Sequence, residues 1–145
     1  MGGIGPAVAA ELRQLNPPDF QVVEVLEQDF RPLDCVVGCK SLIVVDTLIT
    51  GQHAPGTIME FRECELAYVP GASSIYQSLC DVLESGRVVG ATPDNVRVLA
   101  AEADQSGNVS PALLAAVPKL VSRVVTAAAA ARVEVRSFAA EHMDL

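Results

Sequence analysis

A single aspartate stands where an apolar stretch meets a loop of turn residues. The run SLIVV at 41–45 is followed directly by Asp46, and the loop beyond it contains Gly51, Pro55 and Gly56. In an open sheet flanked by helices, the ligand crevice lies beyond the carboxyl ends of the strands, so a carboxylate at this point can act on a bound ligand. The structural alternative is a turn cap, because short polar side chains often close the turn after a strand. Asp46 is the first candidate for chemistry.

The elements that must position Asp46 alternate between strands and helices. Apolar spacing and turn signals predict helices over 6–15 and 74–83, the second closed by Ser85-Gly86, and a last helix from Ser110-Pro111 through the alanines at 127–131. Strands are predicted over 20–26, 41–45, 56–61 and 96–101, of which 41–45 reads as buried on both faces. This order predicts an α/β fold: a three-layer sandwich with a mostly parallel central sheet and helices on both faces. We expect one domain over 1–145, with a frayed tail at 136–145.

Composition limits the classes of function. Half of the 145 residues are apolar, enough for a core without a disulfide or structural metal. The net charge of −8 argues against nucleic acid as a partner, because that binding depends on Lys and Arg. No uninterrupted apolar run reaches the ~18 residues of a membrane span, so no membrane association and a cytoplasmic location are expected.

The four cysteines are Cys35, Cys39, Cys64 and Cys80, and they form no Cys-x-x-Cys pair. Free cysteine usually behaves as a small buried residue, so reduced thiols are the expectation and a zinc or redox role is the alternative. Asp81 and Glu84 occupy one helical face, which indicates a solvated surface.

A second possible site is the glycine pair in Gly3-Ile4-Gly5, which resembles the start of a dinucleotide-binding loop. Val8 stands where the third glycine should be, and no strand precedes the turn. No bound cofactor is therefore predicted from this motif.

Three blocks together resemble the maturation endopeptidases of nickel-iron hydrogenases. The first is the segment 3–8 with its helix, the second runs from Leu42 to the Pro-Gly-Thr loop at 55–57, and the third covers Gly90-Ala91-Thr92-Pro93, the strand at 96–100 and Val109-Ser110-Pro111. The resemblance covers nearly the whole chain. It implies a cytosolic hydrolase, a protease that removes a C-terminal peptide from a hydrogenase large-subunit precursor after nickel insertion.

The resemblance also implies roles for particular residues. Asp46 corresponds to one of three metal ligands, the others being an acid near the N-terminus and a histidine that opens a helix. Gly51, Pro55, Gly56 and Thr57 correspond to a loop of the cleft. Two carboxylates and an imidazole can hold a divalent ion while leaving positions for the substrate. Nickel is the implied metal, recognised in the substrate.

Two of the three ligand positions depart from this pattern. Gly2 stands where the acid belongs, and Ile75 stands where the histidine belongs. His53, in the loop after Asp46, is a possible replacement, although an exposed loop histidine is the alternative interpretation. His142, in the tail, is a weaker candidate.

Two hypotheses of function follow. The chain is either a working maturation endopeptidase in which Asp46 is the remaining catalytic and metal-binding residue, or an inactive homologue that needs no metal. The inactive homologue would only dock onto a hydrogenase subunit or another protein.

Overall fold

The computed structural model describes residues 4–15, 22, 31, 41–62, 64–69, 74–90, 95–106 and 108–143, with the backbone alone at 75, 89 and 130–143. The elements in chain order are α1 (Gly5–Gln14), β1 (Ser41–Leu48), β2 (Ile58–Arg62), a 3-10 helix (Glu65–Tyr68), α2 (Ile75–Val89), β3 (Asn95–Glu102) and α3 (Pro111–Met143).

The described strands form a sheet in the order β1-β3-β2. β1 runs parallel to β3, with Ser41 opposite Asn95 and Leu48 opposite Glu102, whereas β2 is antiparallel to β3. The described part of the sheet is therefore mixed, although a mostly parallel sheet was expected. The carboxyl ends of β1 and β3 meet at one edge of the sheet, where β2 begins.

The strand buried on both faces is β3, and the expectation that 41–45 fills this place is wrong. From Val98 to Glu102 every residue of β3 is buried, whereas Ser41 to Thr47 in β1 are half-buried. The reason is position, because β3 has a described strand on each side and β1 has one on a single side.

Helices cover both faces of this sheet, which confirms the α/β class. On the first face, α1 and α3 pack against alternate β3 residues; this buried cluster includes Val8, Leu12, Leu99, Ala101, Leu113 and Leu120. On the second face, the 3-10 helix and α2 pack against the intervening positions; the clusters there include Leu48, Leu66, Tyr76, Val98, Ala100, Leu79, Leu83 and Val96. Successive side chains of a strand point to opposite faces of the sheet, so alternate residues of each strand belong to different clusters.

The predicted helices are confirmed, with one boundary corrected. α2 does not end at Ser85-Gly86 but continues to Val89, where Gly90 closes it with a φ of 70°. Glycine suits this left-handed position because it has no Cβ. At the start of α3, the Ser110 hydroxyl oxygen accepts a hydrogen bond from the Leu113 amide at 3.2 Å, as expected of a helix cap.

Some predictions cannot be compared with the structure. The strand over 20–26 lies outside the described residues except for Val22, which packs against the first-face cluster. The single domain over 1–145 and the frayed tail stay predictions, and the α3 backbone is helical as far as Met143.

The first part of α3, Pro111–Ala129, is long and apolar enough by composition to cross a membrane. Its buried side chains recur at helical spacing and lie in the first-face cluster: Leu113, Ala116, Val117, Leu120, Val121 and Val124. Such a helix in contact with a sheet is typical of a protein core.

Candidate functional site

Asp46 lies within β1, two residues before its end at Leu48, and not in the loop that follows. It is opposite Ala100 of β3 and half-buried, on the face covered by α2. The expectation that the strand stops at 45 is corrected, because the ladder to β3 continues through Asp46 and Thr47. Being part of a paired strand fixes the backbone of this carboxylate.

Two donors hold the Asp46 carboxylate. The Thr47 amide donates to Oδ1 at 2.7 Å, and the Tyr76 hydroxyl donates to Oδ2. Tyr76 belongs to the first turn of α2 and is 4% exposed, so its hydroxyl reaches Asp46 from inside the second-face cluster. Hydrogen bonds to an ionised acceptor are stronger than neutral ones and fix its direction. A carboxylate offers about four lone-pair sites, so each of its oxygens can accept more than one contact.

The segment before α1 reaches the same part of the sheet. The Ile4 amide donates to the Thr47 hydroxyl oxygen at 3.1 Å, and the Ile4 side chain is 1% exposed. Thr47 follows Asp46 directly but points to the opposite face of the sheet, as alternate strand residues do. Ile4, directly before α1, is therefore tied to the strand residue that follows Asp46.

The loop between β1 and β2 closes against the end of β3. The Gly56 amide donates to the Glu102 carbonyl at 2.8 Å, and the Glu102 amide donates to the Thr57 carbonyl at 2.9 Å. The Thr57 hydroxyl donates to the Ala54 carbonyl at 2.7 Å and closes the turn. Gly51 and Pro55 are exposed in the same loop. The predicted cleft-loop residues thus lie at the sheet edge that ends β1, and their role in binding stays a prediction.

A buried acid anchors this loop, and the sequence interpretation missed it. The Glu102 side chain is 1% exposed; its Oε2 accepts from the Thr50 amide at 2.8 Å and the Gly51 amide at 3.4 Å. Its Oε1 accepts from the Thr50 hydroxyl. The available signal in the sequence was an acid directly after the predicted strand at 96–101.

The structure does not bring His53 into a ligand cluster with Asp46. His53 is exposed in the loop, and Ile75 begins α2 without offering a ligand atom, while Gly2 lies outside the described residues. Within the described ranges, three potential ligand side chains come within 4.8 Å of one another at Cys64, Cys80 and Glu84. Among the described residues, Asp46 and His53 belong to no group of three such ligand side chains, and their metal-binding role stays a prediction.

Cys64 and Cys80 form a disulfide, so the expectation of reduced thiols is wrong for this pair. Their Cα atoms are 5.2 Å apart, and the bond joins the segment before the 3-10 helix to the middle of α2. The packing of these elements on the same face brings together two residues that are 16 positions apart. Cys35 and Cys39 lie outside the described residues.

A surface groove of about 400 Å³ lies away from this site. Its lining residues come from β2 and α3: Ile58, Pro118, Lys119, Ser122 and Arg123. Ile58 packs on the first face, whereas Asp46 faces α2 on the second. The arrangement around Asp46 is the better candidate site, because hydrogen bonds hold its carboxylate in a fixed orientation.

Comparison with solved structures identifies the fold. The chain is similar to the hydrogenase maturating endopeptidase HybD from E. coli, with a TM-score of 0.58 and 21% identity over 87% of this chain and 86% of that one. It has the fold of that endopeptidase. An endopeptidase from Escherichia coli, solved in solution, is similar with a TM-score of 0.52 and 19% identity over 88% of this chain and 87% of the other. No protein-family model and no curated protein matches the sequence.

Proposed function

We propose that the chain belongs to the hydrogenase maturation endopeptidases and removes a C-terminal peptide from a nickel-loaded hydrogenase large-subunit precursor in the cytoplasm. The observation that supports this function best is the meeting of three segments at Asp46. Thr47 joins it to the start of α1, Tyr76 joins it to the start of α2, and β1 leads from it into the loop at 49–57. The start of α1 and the loop at 49–57 belong to segments in which the sequence resembles the family, and the start of α2 corresponds to the helix that the family histidine opens.

In this proposal Asp46 contacts the substrate directly. The Asp46 carboxylate approaches the metal ion that the precursor carries, since carboxylate oxygens coordinate divalent ions. Tyr76 and the Thr47 amide hold the carboxylate in one orientation, which lowers the cost of binding. Gly51, Pro55 and Thr57 lie beside the precursor's C-terminal segment, in a loop that Glu102 keeps in place.

The alternative is an inactive homologue that docks onto the precursor or another protein. The start of α2 supports this alternative. Ile75 replaces the family histidine there, and the Tyr76 hydroxyl donates a hydrogen bond to one oxygen of Asp46. A site with one protein ligand holds a metal weakly, because affinity depends on the number and type of ligands.

A cleavage assay separates these functions. The purified chain is incubated with nickel-loaded precursor, and the precursor's mass is followed. We expect a shorter product with the wild type and none with Asp46→Asn, which keeps the side chain's shape but removes its charge. Glu60→Gln is the matched control, because Glu60 is an acid on the surface strand β2 and outside the site.

The inactive homologue predicts another result. The precursor would stay full length with the wild type and would still be captured by the chain in a pull-down, with or without Asp46→Asn. Cleavage that survives Asp46→Asn would contradict the proposed role of Asp46, and absence of both cleavage and capture would contradict both functions.

A further inference from the structure

A group of side chains suited to metal chemistry lies between α2, one helical turn beyond Tyr76, and the residue that precedes the 3-10 helix. Cys80 is 2% exposed, Cys64 is half-buried and Glu84 is exposed. The Cys80 sulfur and Glu84 Oε1 are 3.6 Å apart, and the three ligand atoms lie within 4.8 Å of one another. The group thus runs from the protein interior to solvent, which gives an ion a path of entry.

We propose that, when the Cys64–Cys80 disulfide is reduced, the two thiolates and the Glu84 carboxylate bind a divalent cation of the zinc class. Reduction adds two electrons and two protons to the disulfide, and a dithiol that becomes oxidised to its own disulfide can supply them. The cation then displaces the two thiol protons, which pass to solvent. Two thiolates and a carboxylate carry three negative charges, of which the ion neutralises two.

The backbone positions suit this ion. Zinc binds sulfur at about 2.3 Å and carboxylate oxygen at about 2.0–2.2 Å, so two sulfurs on one tetrahedral ion lie about 3.8 Å apart. Cα atoms 5.2 Å apart allow this separation after a rotation of the side chains. Cys80 and Glu84 are four residues apart in α2 and therefore lie on the same face of the helix. Thiolate ligands favour zinc over magnesium or calcium.

The two cysteines stay close without their covalent bond, because other contacts hold their elements. Leu66 of the 3-10 helix is 1% exposed and lies in the same cluster as Tyr76 of α2. The 3-10 helix is also fixed beside Cys64, where the Ala67 amide donates to the Cys64 carbonyl at 3.0 Å and Glu65 Oε1 accepts from the Arg62 amide at 2.9 Å. Reduction therefore leaves both thiols near Glu84.

The test uses the full chain carrying Cys35→Ser and Cys39→Ser, so that the remaining thiols are those of the proposed site. Zinc binding is measured by equilibrium dialysis without oxygen, after reduction with a phosphine and its removal. We expect one zinc ion per reduced chain and none on the oxidised chain. Cobalt(II) provides a second measurement, since thiolate-to-cobalt absorption requires cysteine ligands.

Glu84→Gln tests the carboxylate, with Asp81→Asn as its matched control. Asp81 is an exposed acid of the same helix that lies outside the group and accepts a hydrogen bond from Gln77. Glu84→Gln should weaken zinc binding about tenfold or more, since the loss of even an outer-shell partner costs about 10–100-fold, whereas Asp81→Asn should leave it unchanged. Cys64→Ser should remove it.

The proposal is overturned if the reduced chain binds no more zinc than the oxidised chain. It is also overturned if Glu84→Gln binds zinc as tightly as Asp81→Asn, or if Cys64→Ser keeps full affinity. Circular dichroism of each variant shows whether the chain is folded. A folded variant that does not bind zinc has lost the binding site and not the structure.

Discussion

The Tyr76 hydroxyl in α2 donates a hydrogen bond to Oδ2 of Asp46 in β1. This contact joins residues 30 positions apart and links a helix on the second face to β1, the strand that runs parallel to β3. Because Tyr76 is buried, the bond both stabilises the packing of α2 and fixes the orientation of the candidate carboxylate.

Tyr76→Phe removes this hydroxyl and keeps the ring. We expect the free energy of unfolding to fall by about 2 kcal/mol, because a hydrogen bond to a charged group contributes about 1.5–3 kcal/mol. Urea unfolding followed by circular dichroism measures the change. The chain's other tyrosine supplies the control: Tyr68 is 76% exposed, so Tyr68→Phe should have little effect. Equal losses in the two variants would contradict the structural role of the Tyr76 hydroxyl.

Glu102→Ala should destabilise the chain by about 2–4 kcal/mol, since it leaves the Thr50 and Gly51 amides without their buried acceptor. Glu102→Gln keeps one acceptor oxygen and should cost less. Chemical denaturation gives both values, and proteolysis should cut the loop at 49–57 faster in Glu102→Ala.

Glu60→Gln is the comparison for Glu102. The Glu60–Arg97 ion pair has a distance of 3.4 Å and side chains that are 35% and 29% exposed, so its loss should change stability by less than about 1 kcal/mol. A Glu102→Ala loss no larger than this would show that the buried acid does not anchor the loop.

Gly56→Ala should be among the most destabilising small substitutions in the cleft loop. Gly56 has a φ of 89°, and an added Cβ would lie 2.7 Å from the Ala112 carbonyl oxygen at the start of α3. We expect a loss of about 2 kcal/mol or more, because strained backbone and a backbone clash add together. Thermal unfolding is the measurement.

Gly90→Ala separates the two causes of that loss. Gly90 has a φ of 70°, and an added Cβ would meet nothing within 4 Å, so this variant carries the backbone strain alone and should cost about 1 kcal/mol. If Gly56→Ala is no worse than Gly90→Ala, the contact with α3 does not restrict the loop.

Reduction of the Cys64–Cys80 bond should lower the free energy of unfolding by about 3 kcal/mol, since the bond closes a loop of 16 residues in the unfolded chain. Unfolding in urea with and without a phosphine measures it, in the Cys35→Ser and Cys39→Ser background. Adding Cys64→Ser to that background should make stability insensitive to the phosphine. If the phosphine still lowered the stability of this variant, the loss of stability would come from a cause other than the Cys64–Cys80 bond.

The sequence predicts the fold better than the details of the site. Apolar runs and the Ser110-Pro111 cap are local signals, so the starts of the helices and strands around Asp46 could be predicted within a few residues. The partner of Asp46 could not, because Tyr76 comes from a helix that follows a separate strand, and no spacing rule joins them. Glu102 was missed because its role depends on the register that places it opposite Leu48. The pairing of Cys64 with Cys80 depends on tertiary packing and not on sequence spacing.

The hydrogen bond between the Ile4 amide and Thr47 has a practical consequence for protein production. A purification tag attached ahead of Ile4 would therefore leave the fold beside Thr47 of β1, the residue that follows Asp46. Assays of this chain should use material whose affinity handle has been cut away, or one fused beyond α3.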